Sequence, residues 1–238
     1  MKVNLPSKKE DAKGREGCKL ALSFSVWERK TRMYSKIRDF FNYQGIKYLA
    51  PAKAGEDAER MVEYRELGQE ARKEFTHLAS DFQKLFPHLK QDRTSQWMNQ
   101  AQILRPHFWA YFQGEGEITD PMFALRLYGD ARDFGVSLEV SFIERKKDEE
   151  SLQKQNRVLT LPVFSPVYYF AQIEGVSQRF QGTEANRLRL LKGVETGQVR
   201  KVLVKVDINL SQATSQEAIL EEFKKGMNDL LPYYEATR

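Results

Sequence analysis

The stretch FALRLYGDARDFGVSLEVSF, residues 123–142, decides the fold. Apolar residues occupy every second position in two runs, 123–128 and 134–143. A period of two residues is typical of a β-strand with one buried face. Gly129 and Asp130 between the runs form a turn signal, so the stretch predicts an antiparallel hairpin. One face of this hairpin is expected to pack on the core, and the other to face water or a ligand.

The same alternation recurs on both sides of the hairpin. Runs with a period of two predict further strands at 20–26, 167–173 and 202–208. We expect the hairpin and the last two runs to share one sheet. In the last run, Lys205 and Asp207 fall on the face opposite to that of the valines.

Helical periodicity precedes and follows the strands. An amphipathic stripe predicts a long helix at about 56–86, and a shorter helical pattern covers 27–41. The last helix is predicted to begin at Thr214, which opens a capping box. We expect Phe223 and Met227 of this helix to pack onto the sheet.

These elements predict an α+β fold. It combines a mostly antiparallel central sheet with N-terminal helices and a C-terminal amphipathic helix. Residues 1–18 mix charged residues with glycine and predict a flexible basic arm. Residues 19–238 are predicted to form a single α+β domain, in which 27–90 is a candidate helical subdomain.

Composition limits the class of protein. With 238 residues, 41% of them hydrophobic, the chain can bury a sizeable core. The single cysteine, Cys18, excludes an internal disulfide, and together with three histidines it supplies a zinc site poorly. The N-terminus has no apolar stretch of the secretory kind, and no apolar run approaches the roughly 20 residues that span a bilayer. We therefore expect a cytoplasmic protein without a membrane partner.

The net positive charge can be assigned to one window, residues 179–205. The chain has 38 basic and 33 acidic residues; seven of the former and two of the latter lie in the window, which leaves 31 of each elsewhere. Like charges that lie close together add their fields, so the window predicts a polyanion-binding site. The candidate binding residues are Arg179, Gly182, Thr183, Arg187, Arg189, Arg200, Lys201 and Lys205.

Thr183 stands before a predicted helix at 184–192 within this window. A helix N-terminus presents free N–H groups that favour phosphate, and Arg179 and Arg187 can add bidentate contacts. The alternative is an ordinary capped helix with a solvated basic face, because Glu184 in the first turn can satisfy the helix dipole.

A second candidate site follows the hairpin. Glu144 and Lys146 form an E-x-K motif, and Asp130 or Asp133 can supply an upstream carboxylate. Metal-dependent nucleases hold Mg²⁺ with carboxylates and use a lysine to help activate water. The motif is short and common, so a charged strand end that leaves the core is the alternative. No cofactor is expected except Mg²⁺ under this nuclease hypothesis.

The segment 97–112 is the densest aromatic region of the chain. Aromatic rings beside Arg105 and His107 suit stacking with single-stranded nucleic acid, but burial in the core is the commoner use of such residues.

Four strings resemble a small family of uncharacterised bacterial proteins, over about residues 95–235. They are WMNQAQILRPHFWAYF (97–112), FALRLYGD (123–130), DFGVSLEVSFIERK (133–146) and PVYYFAQ (166–172). The resemblance implies a bacterial cytoplasmic protein and carries over no site residues. Some members are labelled glucose-6-phosphate dehydrogenases. This chain lacks the nucleotide loop of such an enzyme, because Thr119 stands where a third glycine should follow Gly114 and Gly116.

The sequence therefore favours a binding module for nucleic acid or another phosphate-rich ligand. A metal-dependent nuclease and a protein-interaction scaffold are the alternatives. Whether the protein is an enzyme and whether it oligomerises are left open at this point.

Overall fold

The computed structural model describes residues 33–144 and 148–238. The described helices are α1 (Ser35–Phe41), α2 (Ala58–Leu85), α3 (Glu149–Asn156), α4 (Glu184–Glu195) and α5 (Gln216–Ala236). The described strands are β1 (Lys90–Gln91), β2 (Trp109–Gln113), β3 (Met122–Gly129), β4 (Phe134–Ser141), β5 (Tyr168–Ile173), β6 (Val176–Phe180) and β7 (Val199–Asn209). The predicted arm at 1–18, the predicted strand at 20–26 and the start of the predicted helix at 27–41 lie outside the described residues.

The strands form one antiparallel sheet in the order β1-β2-β3-β4-β7-β5-β6. The α+β class predicted from the sequence is thereby confirmed. The four alternating runs correspond to β3, β4, β5 and β7, which all belong to this sheet. The sequence patterns did not predict β6, because its exposed residues lack an apolar alternation.

The predicted hairpin is formed by β3 and β4, which pair over their full length with Leu125 opposite Leu138. Gly129 ends β3 with a φ of 99°, and a side chain there would collide with the backbone of Asp133. Glycine is therefore required at this corner. The carboxylate of Asp130 accepts hydrogen bonds from two backbone N–H groups of the turn, at 2.7 and 3.2 Å.

The helices α1, α2 and α5 build the core together with one face of the sheet. The ring of Phe82 on α2 lies 4.6 Å from that of Phe112 on β2 and 5.2 Å from that of Phe223 on α5. One cluster of buried apolar residues extends from Ile37 to Tyr234. The N-terminal helices of the described chain thus share their core with the sheet.

The last helix, α5, begins one residue later than the capping box predicted. Ser215, and not Thr214, is the N-cap, and its hydroxyl accepts a hydrogen bond from the backbone N–H of Ala218 at 3.2 Å. The extended backbone of Ser215 turns its hydroxyl toward the first turn of the helix. Phe223 and Met227 are buried, as expected.

The helix α3 fills the gap where β4 and β7 separate. Their pairing ends at Val140 opposite Val204. The buried side-chain amide of Gln155 donates hydrogen bonds to the carbonyl groups of Val140 at 3.2 Å and of Val202 at 3.0 Å. Gln155 thus satisfies two backbone acceptors that the sheet leaves unpaired at this end.

Two helical glycines offer a matched test of this packing. A Cβ added to Gly68 of α2 would lie 2.8 Å from the Trp97 ring, whereas one added to Gly226 of α5 would lie 3.5 Å from Leu138, an ordinary contact. We expect Gly226→Ala to raise the free energy of unfolding by about 0.5–1 kcal/mol, because glycine weakens a helix interior. Gly68→Ala should lower it by about 1–3 kcal/mol through overpacking. Urea denaturation measures both changes, and a stabilised Gly68→Ala protein would contradict the close contact between α2 and Trp97.

Candidate functional site

The register of the sheet separates apolar from polar side chains onto two faces. In one row across β3, β4 and β7, the neighbours are Leu125, Leu138 and Val206. In the next row, Glu139 on β4 lies opposite Lys205 on β7. Because successive side chains of a strand point to opposite faces, the first row faces the core and the second faces away from it.

We call this second face the polar face. The residues that define it are Trp109, Tyr111, Arg126, Glu139, Tyr168, Phe170, Arg179, Lys201, Lys205 and Asp207. In the described part of the chain, α4 and α5 meet the sheet on its core face, where Gly193 lies against Val199 and Gly226 against Leu138.

Glu139 lies at the centre of the polar face and is fully buried. Its Oε1 atom is 3.1 Å from Nε of Arg126, and its Oε2 atom is 2.5 Å from Nζ of Lys205. The side chain of Lys205 is 5% exposed and that of Arg126 is 34% exposed, so the cluster reaches the surface through the arginine. Two cations share one carboxylate, which gives the three side chains a net charge of +1.

The charges of this cluster shift the pKa values of Glu139 and of the titratable groups beside it. Burial by itself raises the pKa of Glu139, but the charges of Lys205 and Arg126 outweigh it and hold the pKa below its ordinary value. Burial lowers the pKa of Lys201, and the positive charges of Arg126 and Lys205 lower it further. Burial also raises the pKa of Tyr111, and the nearby positive charge of Arg126 opposes this shift. Glu139 is therefore ionised at neutral pH.

A second ion pair lies beside this cluster. Nη1 of Arg179 is 2.6 Å from Oδ2 of Asp207, and the hydroxyl of Tyr168 donates a hydrogen bond to Oδ1 of the same carboxylate at 2.7 Å. The guanidinium group of Arg179 lies 3.6 Å from the centre of the Tyr168 ring. Burial and the charge of Asp207 raise the pKa of Tyr168, and they raise that of Tyr128 to about 12. Tyr168 therefore keeps its proton as a hydrogen-bond donor.

Further cations lie over aromatic rings of the polar face. Nζ of Lys205 is 4.1 Å from the centre of the Phe170 ring. The guanidinium groups of Arg105 and Arg126 are 4.2 and 5.6 Å from the Trp109 ring. Trp109 and Phe170 are both half-buried. The face thus alternates fixed cations with flat apolar surfaces, which attract each other electrostatically.

The structure divides the basic window between the two sides of the sheet. Arg179, Lys201 and Lys205 lie on the polar face. Arg200 lies at its edge, where its Nη1 atom donates to Oε1 of Gln172 at 2.7 Å. The remaining window arginines belong to α4, which packs on the core side of β7.

Arg187 and Arg189 on α4 do not join the cations of the polar face. The guanidinium group of Arg187 donates to the carboxylate of Glu184 at 2.6 and 2.8 Å and to the carbonyl of Leu159 at 2.8 Å. Arg189 lies 5.4 Å from the centre of the Phe180 ring. A charge surplus that is continuous in sequence is therefore separated in space.

The start of α4 is capped in the way that the sequence predicts. Thr183 is the N-cap, as predicted, and its hydroxyl accepts from the N–H of Asn186 at 3.3 Å. Gly182 lies directly against the carbonyl of Val167 and the side chain of Val163. The hydroxyl of Thr183 thus satisfies one of the free N–H groups of this helix start.

The acidic residues of the nuclease hypothesis are not brought together. Asp130 and Asp133 precede β4 and Glu144 follows it, and the eight residues of that strand separate the two ends by roughly 25 Å. The carboxylate of Glu144 pairs with Lys201 and lies 3.9 Å from Arg200. Lys146 lies outside the described residues. No group of three or more His, Cys, Asp or Glu side chains within the described ranges could hold a metal ion.

The central residues of the polar face were missed by sequence reasoning. The sequence did contain a signal for Glu139, because this charged residue stands between Ser137 and Ser141 at an outward position of an alternating strand. The sequence contained no signal for the pairing of Glu139 with Arg126 and Lys205, because this pairing depends on which strands become neighbours. The predicted site contained one of these three residues, Lys205.

Comparison with protein-family models and with curated proteins found no match for the chain. None of the helices in 33–144 and 148–238 combines the length and the apolar character needed to cross a membrane. Fixed cations beside flat apolar rings suit a ligand that is both anionic and planar.

The ionised state of Glu139 predicts a specific pH dependence of stability. Because the folded pKa lies below the ordinary value of 4.5, the unfolded chain takes up the proton first as the pH falls. The stabilisation by this carboxylate is complete above the unfolded pKa and is lost as the pH falls toward the folded pKa. The free energy of unfolding of wild type should exceed that of Glu139→Gln by about 3–5 kcal/mol near neutral pH, since the variant leaves two cations unpaired.

Urea denaturation of both proteins at several pH values measures this difference. We expect it to stay constant down to about pH 5 and to shrink below that value. A difference that stays constant down to about pH 3 would contradict the ionised, charge-paired state of Glu139.

Proposed function

We propose that the polar face binds nucleic acid or another phosphate-rich polyanion. The observation that carries this proposal is the convergence of Arg179, Lys201 and Lys205 with Arg126 on one face of the sheet. These cations come from strands β3, β6 and β7, none of which is a direct neighbour of another in the sheet, and they stand beside the Trp109 ring and others. Cations held on a rigid sheet can meet successive phosphates of a strand at little entropic cost.

The charge balance of the face favours an anionic ligand. Its cations, with the edge residue included, are Arg126, Arg179, Arg200, Lys201 and Lys205, and the carboxylates that pair with them are Glu139, Glu144 and Asp207. Among these eight side chains of the described residues, five positive and three negative charges leave a surplus of two. Arg179 is 59% exposed despite its ion pair, so its guanidinium remains within reach of a ligand. A focused surplus of this kind attracts polyanions.

The aromatic residues favour a single strand over a duplex. Bases of single-stranded nucleic acid stack on aromatic side chains while the phosphates meet lysine and arginine. Trp109 and Phe170 are half-buried and lie beside cations of the face. A duplex keeps its bases stacked on one another and can offer only its phosphates to such a surface.

Binding should depend strongly on salt. We expect the protein to bind a fluorescein-labelled oligothymidylate of about 12 nucleotides at low salt, with log K falling linearly against log salt. Arg179→Ala should reduce the slope by about 0.7, because it removes one phosphate contact with a single strand. Fluorescence anisotropy titrations at several salt concentrations measure both quantities.

Arg60→Ala is the matched control for this variant. Arg60 lies on α2, is 61% exposed and pairs with an aspartate, as Arg179 does, but it is not part of the polar face. Arg189→Ala provides a second control from within the basic window. Both control variants should keep the wild-type slope. The proposal fails if wild type does not bind the oligonucleotide at about 50 mM salt, or if the controls lose as much as Arg179→Ala.

A further inference from the structure

The cluster of Arg126, Glu139 and Lys205 combines burial with unequal charge. Glu139 is fully buried and the Lys205 side chain is 5% exposed, yet two cations share the single carboxylate. The neighbouring carboxylate, Asp207, pairs with Arg179. Buried ions are favoured when an opposite charge accompanies each of them. A net charge of +1 at a largely buried position therefore favours the approach of an anion.

The same cluster keeps hydrogen-bond donors that Glu139 does not use. Nε of Arg126 donates to Glu139, whereas a guanidinium carries five N–H groups in a planar fork. An ammonium group carries three N–H groups, and that of Lys205 has one carboxylate oxygen at 2.5 Å. Arg126 is 34% exposed, so an oxyanion can reach it from the surface.

We propose that this cluster is a seat for one phosphate group, with the exposed Arg126 as its donor and the buried positive charge of Lys205 beside it. The inference rests on the proposed function and makes it more specific, because it selects a phosphate-bearing strand as the ligand and names its anchoring point. Glu139 has two opposing effects at such a seat. It holds the two cations in place, and its negative charge weakens their attraction for the phosphate.

Affinity should therefore follow the net charge of the cluster. That charge is +1 in wild type, 0 in Lys205→Met, +2 in Glu139→Gln and +1 again in the double variant Glu139→Gln/Lys205→Met. We expect Lys205→Met to bind the labelled oligothymidylate about tenfold more weakly, because one positive charge beside the phosphate is lost. Glu139→Gln should bind about tenfold more tightly, and the double variant should recover most of the affinity lost in Lys205→Met.

Anisotropy titrations at one fixed low salt concentration test this order, with the melting temperature of each variant as a check on folding. If Glu139→Gln does not fold, the comparison of Lys205→Met with the double variant still tests the proposal. These two proteins differ only in the carboxylate of Glu139, so the double variant should bind more tightly. Equal affinities in wild type and all folded variants would overturn the phosphate seat while the wider proposal stands. Absence of binding by wild type would overturn both.

Discussion

The strand β4 lies at the centre of the sheet, and its register with β3 and β7 is the constraint on which both faces depend. All eight of its residues are buried, so each outward side chain must find a partner on a neighbouring strand. The register places Leu138 beside Leu125 and Val206, and Glu139 beside Lys205. A slip by one residue would turn Glu139 into the aromatic core, where an unpaired carboxylate is strongly destabilising. The charged cluster and the core thus select the same register.

The buried charges of the polar face are difficult to explain by stability alone. The cost of removing ions from water offsets much of their mutual attraction, so well-packed apolar residues would stabilise the sheet equally well. What the cluster does provide is fixed geometry. Arg126 is held by Glu139 and lies over the Trp109 ring, which leaves its side chain little freedom. A cation held in this way loses little entropy when it binds a ligand.

Whether a cation is already neutralised by a carboxylate is as important for anion binding by this protein as whether several cations lie on one face. Arg187 is the clearest case, because its guanidinium is already satisfied by Glu184 and by a backbone carbonyl. Arg179 also has a carboxylate partner, Asp207, but its side chain stays mostly exposed and lies over the Tyr168 ring. Two arginines of one basic window therefore have different environments. The difference arises because one lies on β6 and the other on a helix that packs on the opposite side of the sheet.

The sequence by itself determined the features that depend on neighbours along the chain. The alternation in 123–142 predicted β3 and β4, the apolar stripe predicted α2, and Thr183 was recognised as the cap of α4. Only the tertiary structure decided that Lys205 meets Glu139, that Arg187 is separated from Arg179, and that Asp133 and Glu144 lie at opposite ends of one strand. Periodicity and capping act within a few residues of the chain and can be read locally. Strand order and register bring together residues that are far apart in sequence, because the whole core selects them at once.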